Sequence, residues 1–330
     1  MTPSIQIAIP TYNRWNKLLA QLNKLQPQLT NKDKIVVIDN ASSDFDSQHA
    51  IFADPRIRVI RNLANLGLCA NISACFHHLD CDWLWLLSDD DRIFDHSLAT
   101  IRDKIAQTDA QILNFSSALL GTRRRQDLEY NSAKSYFEAM DSFSNHLLLS
   151  NNVYHSEVVK ESIIKIGYGI SMGAPHMIPI MLAINKHRKG LFCKEDIIKW
   201  QDLAIDHSWN RIPLFNLLCL IDFLDDYQDK KYIFTILKGY LPKLHFFSAQ
   251  LSHSVNFHGA SLDNAIFFYR KIGVYYCFYG TLYDKYVCRL NDLLTHFPRI
   301  AYPLYTLLFK IVKKASLNTL MQNRKLEFYI

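Results

Sequence analysis

Within residues 1–120, short β-branched and aromatic runs alternate with amphipathic stretches, and this alternation limits the possible folds more than any other feature of the chain. Ile5 to Ile9 is followed by Trp15 to Leu25, and Ile35 to Ile38 by Ser47 to Phe52. Ile57 to Ile60 precedes a helical pattern over about Leu68 to Leu79, Trp83 to Leu87 precedes one over Ser97 to Ala106, and Ile112 to Phe115 closes the series. A β-α-β alternation predicts an α/β fold with a doubly wound, mostly parallel sheet covered by helices. Such sheets bind ligands beyond the carboxyl ends of their strands. Polar residues stand at three of those ends: Pro10-Thr11-Tyr12-Asn13, Asp39-Asn40-Ala41-Ser42-Ser43-Asp44 and Ser88-Asp89-Asp90-Asp91.

From about Asp206 the pattern changes to longer Phe-, Tyr- and Leu-rich segments with few turn signals, which predicts helices. The expected organisation is a catalytic domain over residues 1–205 and a helical carboxyl-terminal extension over 206–330. Charge divides in the same way. Residues 230–330 hold 14 Lys and Arg against four acids, a balance of +10, so the remainder of this chain of net charge +6 carries −4. The seven cysteines are scattered and never spaced C-x-x-C, which suits reduced thiols better than a disulfide framework or a zinc site. No secretion signal precedes Ile5, and no uncharged apolar run reaches the roughly 18–20 residues of a spanning helix. The expectation is a cytoplasmic protein.

Three consecutive aspartates after an apolar strand are costly, because adjacent carboxylates repel and raise one another's pKa unless a cation is present. Mg²⁺ or Mn²⁺, which takes one or two carboxylates together with phosphate oxygens and water, removes that cost. The alternative is a solvated acidic turn in which Asp91 caps the next helix. A sugar nucleotidyltransferase would share the sheet but needs a Gly-rich, Lys-bearing loop after the first strand, where this chain has Pro10-Thr11-Tyr12-Asn13.

Four segments resemble the inverting nucleotide-sugar glycosyltransferases of family 2, which have the GT-A fold. They are Ile7-Ala8-Ile9-Pro10-Thr11-Tyr12-Asn13-Arg14, Val36-Val37-Ile38-Asp39-Asn40-Ala41-Ser42-Ser43-Asp44, Arg61-Asn62-Leu63-Ala64-Asn65-Leu66-Gly67 with Asn71, and Leu86-Leu87-Ser88-Asp89-Asp90-Asp91, in the family's order. The resemblance implies a nucleotide-sugar donor, a UDP-sugar for preference, bound by Pro10, Thr11, Tyr12, Asn13, Asp39, Asn40, Ser42, Asn65, Gly67, Asn71, Asp89 and Asp90. Tyr12 would stack on the base, Asp39 would accept an N–H from a uracil-like edge, and Asn71 would face the ribose or diphosphate. The metal would fall chiefly to Asp91, with Asp89 in support in an Asp89-x-Asp91 reading.

An inverting transferase also needs a base for the acceptor hydroxyl. The family's acidic pair is missing from its expected place, where Gly173-Ala174-Pro175-His176-Met177 stands. Pro175 suits a first helical turn, which puts His176 at a helix amino terminus, where the dipole disfavours protonation. His176 is therefore the first candidate base, followed by Asp202 and the Glu195-Asp196 pair. Loss of the base would leave a nucleotide-sugar-binding module without catalysis.

The run Arg123-Arg124-Arg125 could meet a phosphate-bearing acceptor or lie in a solvated loop. Basic, aromatic segments at Ala265 to Tyr279 and Tyr302 to Lys314 suit a lipid headgroup boundary. They point to peripheral attachment on the inner face of the cell membrane and to a glycan or lipid-linked acceptor in surface polysaccharide or lipopolysaccharide synthesis, with packing into a homo-oligomer as the alternative. No nucleic-acid-binding signature is present.

Overall fold

The structure, a computed structural model, describes residues 2–117, 124–140, 143–170, 172–199, 217–240, 262–297 and 307. The chain divides into two compact units, Met1–Asp202 and Leu203–Ile330.

The first unit is built on one eight-stranded sheet. Its strands are β1 (Ile5–Thr11), β2 (Lys34–Asp39), β3 (Ile57–Arg61), β4 (Trp83–Leu86), β5 (Ile112–Ser116), β6 (Leu128–Tyr130), β7 (Asn152–His155) and β8 (Gly190–Asp196), in the order β3-β2-β1-β4-β7-β5-β8-β6. The half formed by β3, β2, β1 and β4 is wholly parallel. In the other half β7 runs antiparallel between β4 and β5, β8 is parallel to β5, and β6 is an antiparallel edge. The sheet is thus mixed and mostly parallel, with helices of the second unit following it.

Every residue of β1 is buried, as expected of a central strand covered on both faces, which reads as a continuous apolar run rather than an alternation. Ile5, Ile7 and Ile9 join a core with Leu18, Leu22 and Leu25 of α1 (Trp15–Leu25) and with Leu98 and Ile101 of α3 (Ser97–Gln107). On α1 those positions recur at helical spacing. α2 (Leu68–His77) carries Phe76, whose ring meets Tyr154 of β7 edge-on at 5.7 Å. Pro10 fits this central strand because β4 pairs with β1 only as far as Ala8, so a missing N–H leaves no neighbour unpaired on that side.

Three sequence expectations change. Ser47 to Phe52 forms no regular helix. Only a short 3₁₀ turn at Ala50–Ala53 follows, ended by Asp54 in extended conformation before Pro55, as the residue preceding a proline prefers. β7 (Asn152–His155) enters the sheet antiparallel to both neighbours, against the expected parallel order. β6 and β8 add two strands that residue patterns did not indicate. The remaining helices of this unit are α4 (Ala133–Ala139), α5 (Phe143–Leu147), α6 (Ser156–Ile166) and α7 (Met177–Asn185).

The second unit contains α8 (Tyr227–Tyr240), α9 (Leu262–Tyr279) and α10 (Leu282–Thr295), preceded by a 3₁₀ segment at Leu217–Phe223. Its core includes Ile233, Phe234, Leu237, Ile272 and Tyr276, with Phe234 and Tyr276 edge to face at 5.1 Å. Tyr275 donates its hydroxyl to Asp222. Among the described residues no helix is long and apolar enough to cross a membrane.

Candidate donor and metal site

The strand order turns at β1: the chain winds outward through β2 and β3, then returns to place β4 on the other flank. A crevice beyond the carboxyl ends of β1 and β4 is the topological switch point where open α/β sheets hold ligands. Thr11 at the end of β1 and Asp89 just past β4 are joined there directly, the hydroxyl donating to the carboxylate at 2.7 Å. Asp39, at the end of β2, stands beside Thr11 in register.

The backbone at these strand ends is bent sharply. Asn13 and Ala41 have φ of 51° and 62°, a left-handed conformation unusual outside glycine that is often found at ligand sites. Side chains hold the bends: Asn13 N–H donates to Ser42 Oγ at 2.8 Å, and Ser43 N–H donates to Asn13 Oδ1 at 2.9 Å. Gly67, at φ 83°, precedes α2, and nothing would crowd a Cβ there, so backbone conformation is what requires glycine.

An asparagine network lies beneath. Asn40 donates to Asn65 Oδ1 at 2.7 Å and accepts from Asn62 at 3.0 Å and from Leu66 N–H at 2.9 Å. Asn71 is buried. Its amide donates to the Ile38 carbonyl at 3.0 Å and the Thr11 carbonyl at 3.4 Å, and its oxygen accepts from Asn62 at 2.9 Å. Its side chain turns to the sheet, not to the ribose or diphosphate as the resemblance implied, and ties α2 to the ends of β1 and β2. Asp39 is fully buried, accepting from Ser42 N–H at 3.2 Å, with Arg61 Nε 3.5 Å away. Tyr12 is 43% exposed at the rim, free to offer a ring face.

Arg14, to which sequence gave no role, bonds Asp89 at 3.1 Å and Asp90 at 2.8 Å. Ser88 Oγ donates to Asp90 at 2.6 Å. Asp91 accepts from the hydroxyl of Ser150. Ser150 also accepts the Ser88 N–H at 2.9 Å, and its carbonyl accepts the Trp85 indole N–H at 2.8 Å. The acidic turn is therefore pinned from a residue about sixty positions away. A cation opposite Asp89 and Asp90 made Arg14 readable in sequence; nothing near Ser150 marked it.

Electrostatics separate the three acids. Burial, reinforced by Asp90 and Asp89, pushes Asp91 up to about 7 against the opposing pull of Ser150 and Arg14. Burial also raises Asp89, though Thr11 and Arg14 counter it. Asp91 is thus the carboxylate whose charge the protein compensates least, which suits a hard divalent cation. Among the described residues no three His, Cys, Asp or Glu side chains form a cage for a metal. A cation here would need phosphate oxygens and water to complete its shell, as Mg²⁺ characteristically does.

The base candidates fare differently. His176 immediately precedes α7, but it is only 5% exposed, and neither ring nitrogen makes a well-formed hydrogen bond. Its carbonyl accepts the Tyr154 hydroxyl at 2.9 Å. Burial, rather than the helix dipole, lowers it to about 4, with the main chain of Leu147 opposing. A base must touch the acceptor hydroxyl, and His176 is enclosed. Glu195 is ion-paired with Lys104 at 2.9 Å. Asp202 lies outside the described residues, as does Arg123. Arg124 is turned inward, bonding the Asn114 side chain at 2.6 Å and lying over the Phe192 ring at 4.9 Å, so it braces β5 and β8.

The buried neutral His176 has a consequence for stability. Its folded pKa lies below the unfolded value of 6.5, so the unfolded chain binds the extra proton and stability falls as pH drops from about 6.5 to 4, by roughly 3 kcal/mol in all. Urea midpoints measured across that window should show the loss, and His176→Leu should flatten it. An equal acid slope in the variant would place the proton elsewhere.

Residues 6–152, which contain the whole of this strand-end site, match the model of glycosyl transferase family 2. No curated protein matches the chain in sequence. Among solved structures, S. aureus TarS 1–349 aligns with a TM-score of 0.61 at 14% identity, over 96% of this chain and 92% of that one, and the same protein in complex with UDP-GlcNAc aligns equally. The mannosyltransferase PcManGT from Pyrobaculum calidifontis, in complex with GDP-Man and Mn²⁺, aligns with a TM-score of 0.51 at 13% identity, over 89% of this chain and 88% of that one. At such identities the likeness is one of fold. The switch-point crevice, the acidic turn after β4 and the family match fall on the same residues: residues 6–152 resemble a glycosyl transferase family 2 domain, and the fold is GT-A-like.

Proposed function

We propose that this chain moves one sugar, with inversion, from a nucleotide-sugar donor to a hydroxyl of a glycan or lipid-linked acceptor, and that Asp91 holds a Mg²⁺ or Mn²⁺ ion against the donor diphosphate. The observation that carries this reading is the meeting of Thr11, Asp89 and Arg14 at the β1/β4 switch point, next to a carboxylate whose charge is poorly compensated. The known complexes of TarS with UDP-GlcNAc and of PcManGT with GDP-Man and Mn²⁺ support the choice of ligand class.

The residues divide the work by position. Tyr12 at the rim supplies a face for the base, and Asp39 with Arg61 forms the polar end of that pocket. Asp89 and Asp90, held by Arg14, line the ribose side. When bound, the cation would neutralise charge on the departing diphosphate. The acceptor oxygen attacks the anomeric carbon opposite the diphosphate, the bond to the nucleotide breaks toward the phosphate oxygen, and the hydroxyl proton passes to a base. Ser150 keeps Asp91 oriented throughout.

A panel of UDP-, GDP-, CDP- and dTDP-sugars, each with Mn²⁺ or with chelator, tests the reading through thermal stability, since a ligand that binds only the folded state raises it. A UDP-sugar should give the largest shift, and chelator should remove most of it. If no nucleotide sugar shifts the transition, the donor assignment is wrong.

A further inference from the structure

Helix α10 is amphipathic in the sense opposite to the helices of the first unit. Its buried positions include Asp284 and Cys288. Leu282, Tyr286, Leu290 and Leu293, which follow one another at intervals of four, four and three residues, are 87, 67, 44 and 59% exposed. This spacing places all four on one stripe of the helix. Phe297, just beyond the helix, continues the stripe at 56% exposure.

The orientation is built into the second unit. Thr281 and Asp284 cap the helix reciprocally: the Thr281 hydroxyl and N–H donate to the Asp284 carboxylate, both at 2.8 Å, and Asp284 N–H donates back to Thr281 Oγ at 3.2 Å. Lys238 of α8 pairs with the same carboxylate. On the next inward turn Cys288 Sγ lies 3.6 Å from where a Cβ on Gly273 of α9 would stand. With Asp284 and Cys288 anchored, the apolar stripe has to face outward.

Beside it, Lys285 and Arg289 stand one turn apart and have no ion-pair partner among the described residues. They belong to the stretch that carries 14 Lys and Arg against four acids. An apolar stripe bordered by cations matches the boundary between acyl chains and anionic headgroups. At 14 residues the helix is about 21 Å long, too short to span a bilayer and suited to lying on one. Two-fold pairing of the stripe with a second copy would bring the same cations toward each other, which disfavours self-association.

We propose that α10 is a docking helix for an anionic lipid surface, with Leu282, Tyr286, Leu290 and Leu293 at the acyl boundary and Lys285 and Arg289 on lipid phosphates. The test is co-sedimentation of the full chain with phosphatidylcholine vesicles, with and without phosphatidylglycerol. It compares the wild type with Tyr286→Glu/Leu290→Glu and with Lys285→Glu/Arg289→Glu, exposed positions apart from the half-buried Lys285; these substitutions should leave the circular dichroism unchanged. The wild type should bind phosphatidylglycerol vesicles and release in high salt, and each double variant should bind roughly 20-fold more weakly or worse. Equal binding by the variants, or none by the wild type, overturns the assignment. So does a concentration-dependent dimer dissolved by Tyr286→Glu/Leu290→Glu without vesicle binding, which would give the stripe to a second copy. No donor is present in this assay, so it stands apart from the transfer reading.

Discussion

Asp91→Asn should lower sugar transfer by about a thousandfold or more while leaving the fold as stable as before, or more stable. The substitution removes one negative charge and keeps the shape, so Ser150 can still donate to the remaining carbonyl oxygen. Losing electrostatic stabilisation of a departing diphosphate typically costs several kcal/mol in the transition state. The stability side follows from the same carboxyl, which is raised to about 7 by burial and by Asp90 and Asp89. A carboxyl with a raised folded pKa costs stability above that pH, because the folded state must ionise a group that the unfolded chain ionises easily. At pH 8 the urea midpoint of Asp91→Asn should therefore equal or exceed that of the wild type. Turnover at the wild-type rate would remove Asp91 from the chemistry, and a collapse in stability would make it a structural acid.

The second large effect is expected at Asn71, where stability rather than chemistry should respond. Its amide satisfies the Ile38 carbonyl and adds a longer bond to Thr11, while its oxygen receives Asn62. Asn71→Ala leaves these buried groups without partners, at about 1–3 kcal/mol for each well-made bond lost, so a destabilisation of roughly 3 kcal/mol is expected. Donor affinity should fall as a consequence, because the ends of β1 and β2 carry Thr11 and Asp39. Urea midpoints and donor affinity, measured together, separate two roles. A large drop in the midpoint identifies the tie between α2 and the sheet; an unchanged midpoint with lost affinity would put the side chain on the ligand.

These two residues also show how much of the molecule could be read from sequence. The parallel half of the sheet was legible because β1, β2 and β4 are buried on both faces and appear as unbroken apolar runs. Their polar ends were legible for the same reason, since each run stops where the chain leaves the core. The direction of β7 was not, because a strand has the same side-chain period whichever way it runs. β6 is three residues long and β8 ends in Lys194-Glu195-Asp196, so neither carries a recognisable pattern.

Within the site, sequence marked residues by their distance along the chain from a strand end, and that criterion has limits. It picked out Asn71 without showing that its helix face turns toward the sheet. It passed over Arg14, although a cation in the loop opposite three acids is an available signal. Ser150 was beyond reach, since its relation to Asp91 exists only once β7 has inserted beside β4. His176 was placed correctly at the start of a helix, but one residue's neighbourhood in sequence does not reveal that α7 is buried all round.

The central claim is that Asp91 and a donor diphosphate share one divalent cation, and Mn²⁺ electron paramagnetic resonance tests it most directly, because free Mn²⁺ gives a strong signal that binding removes. With wild-type protein, adding UDP should quench the free-ion signal well beyond what UDP alone achieves, and with Asp91→Asn the quenching should return to the level of UDP alone. Undiminished quenching by the variant would contradict the account.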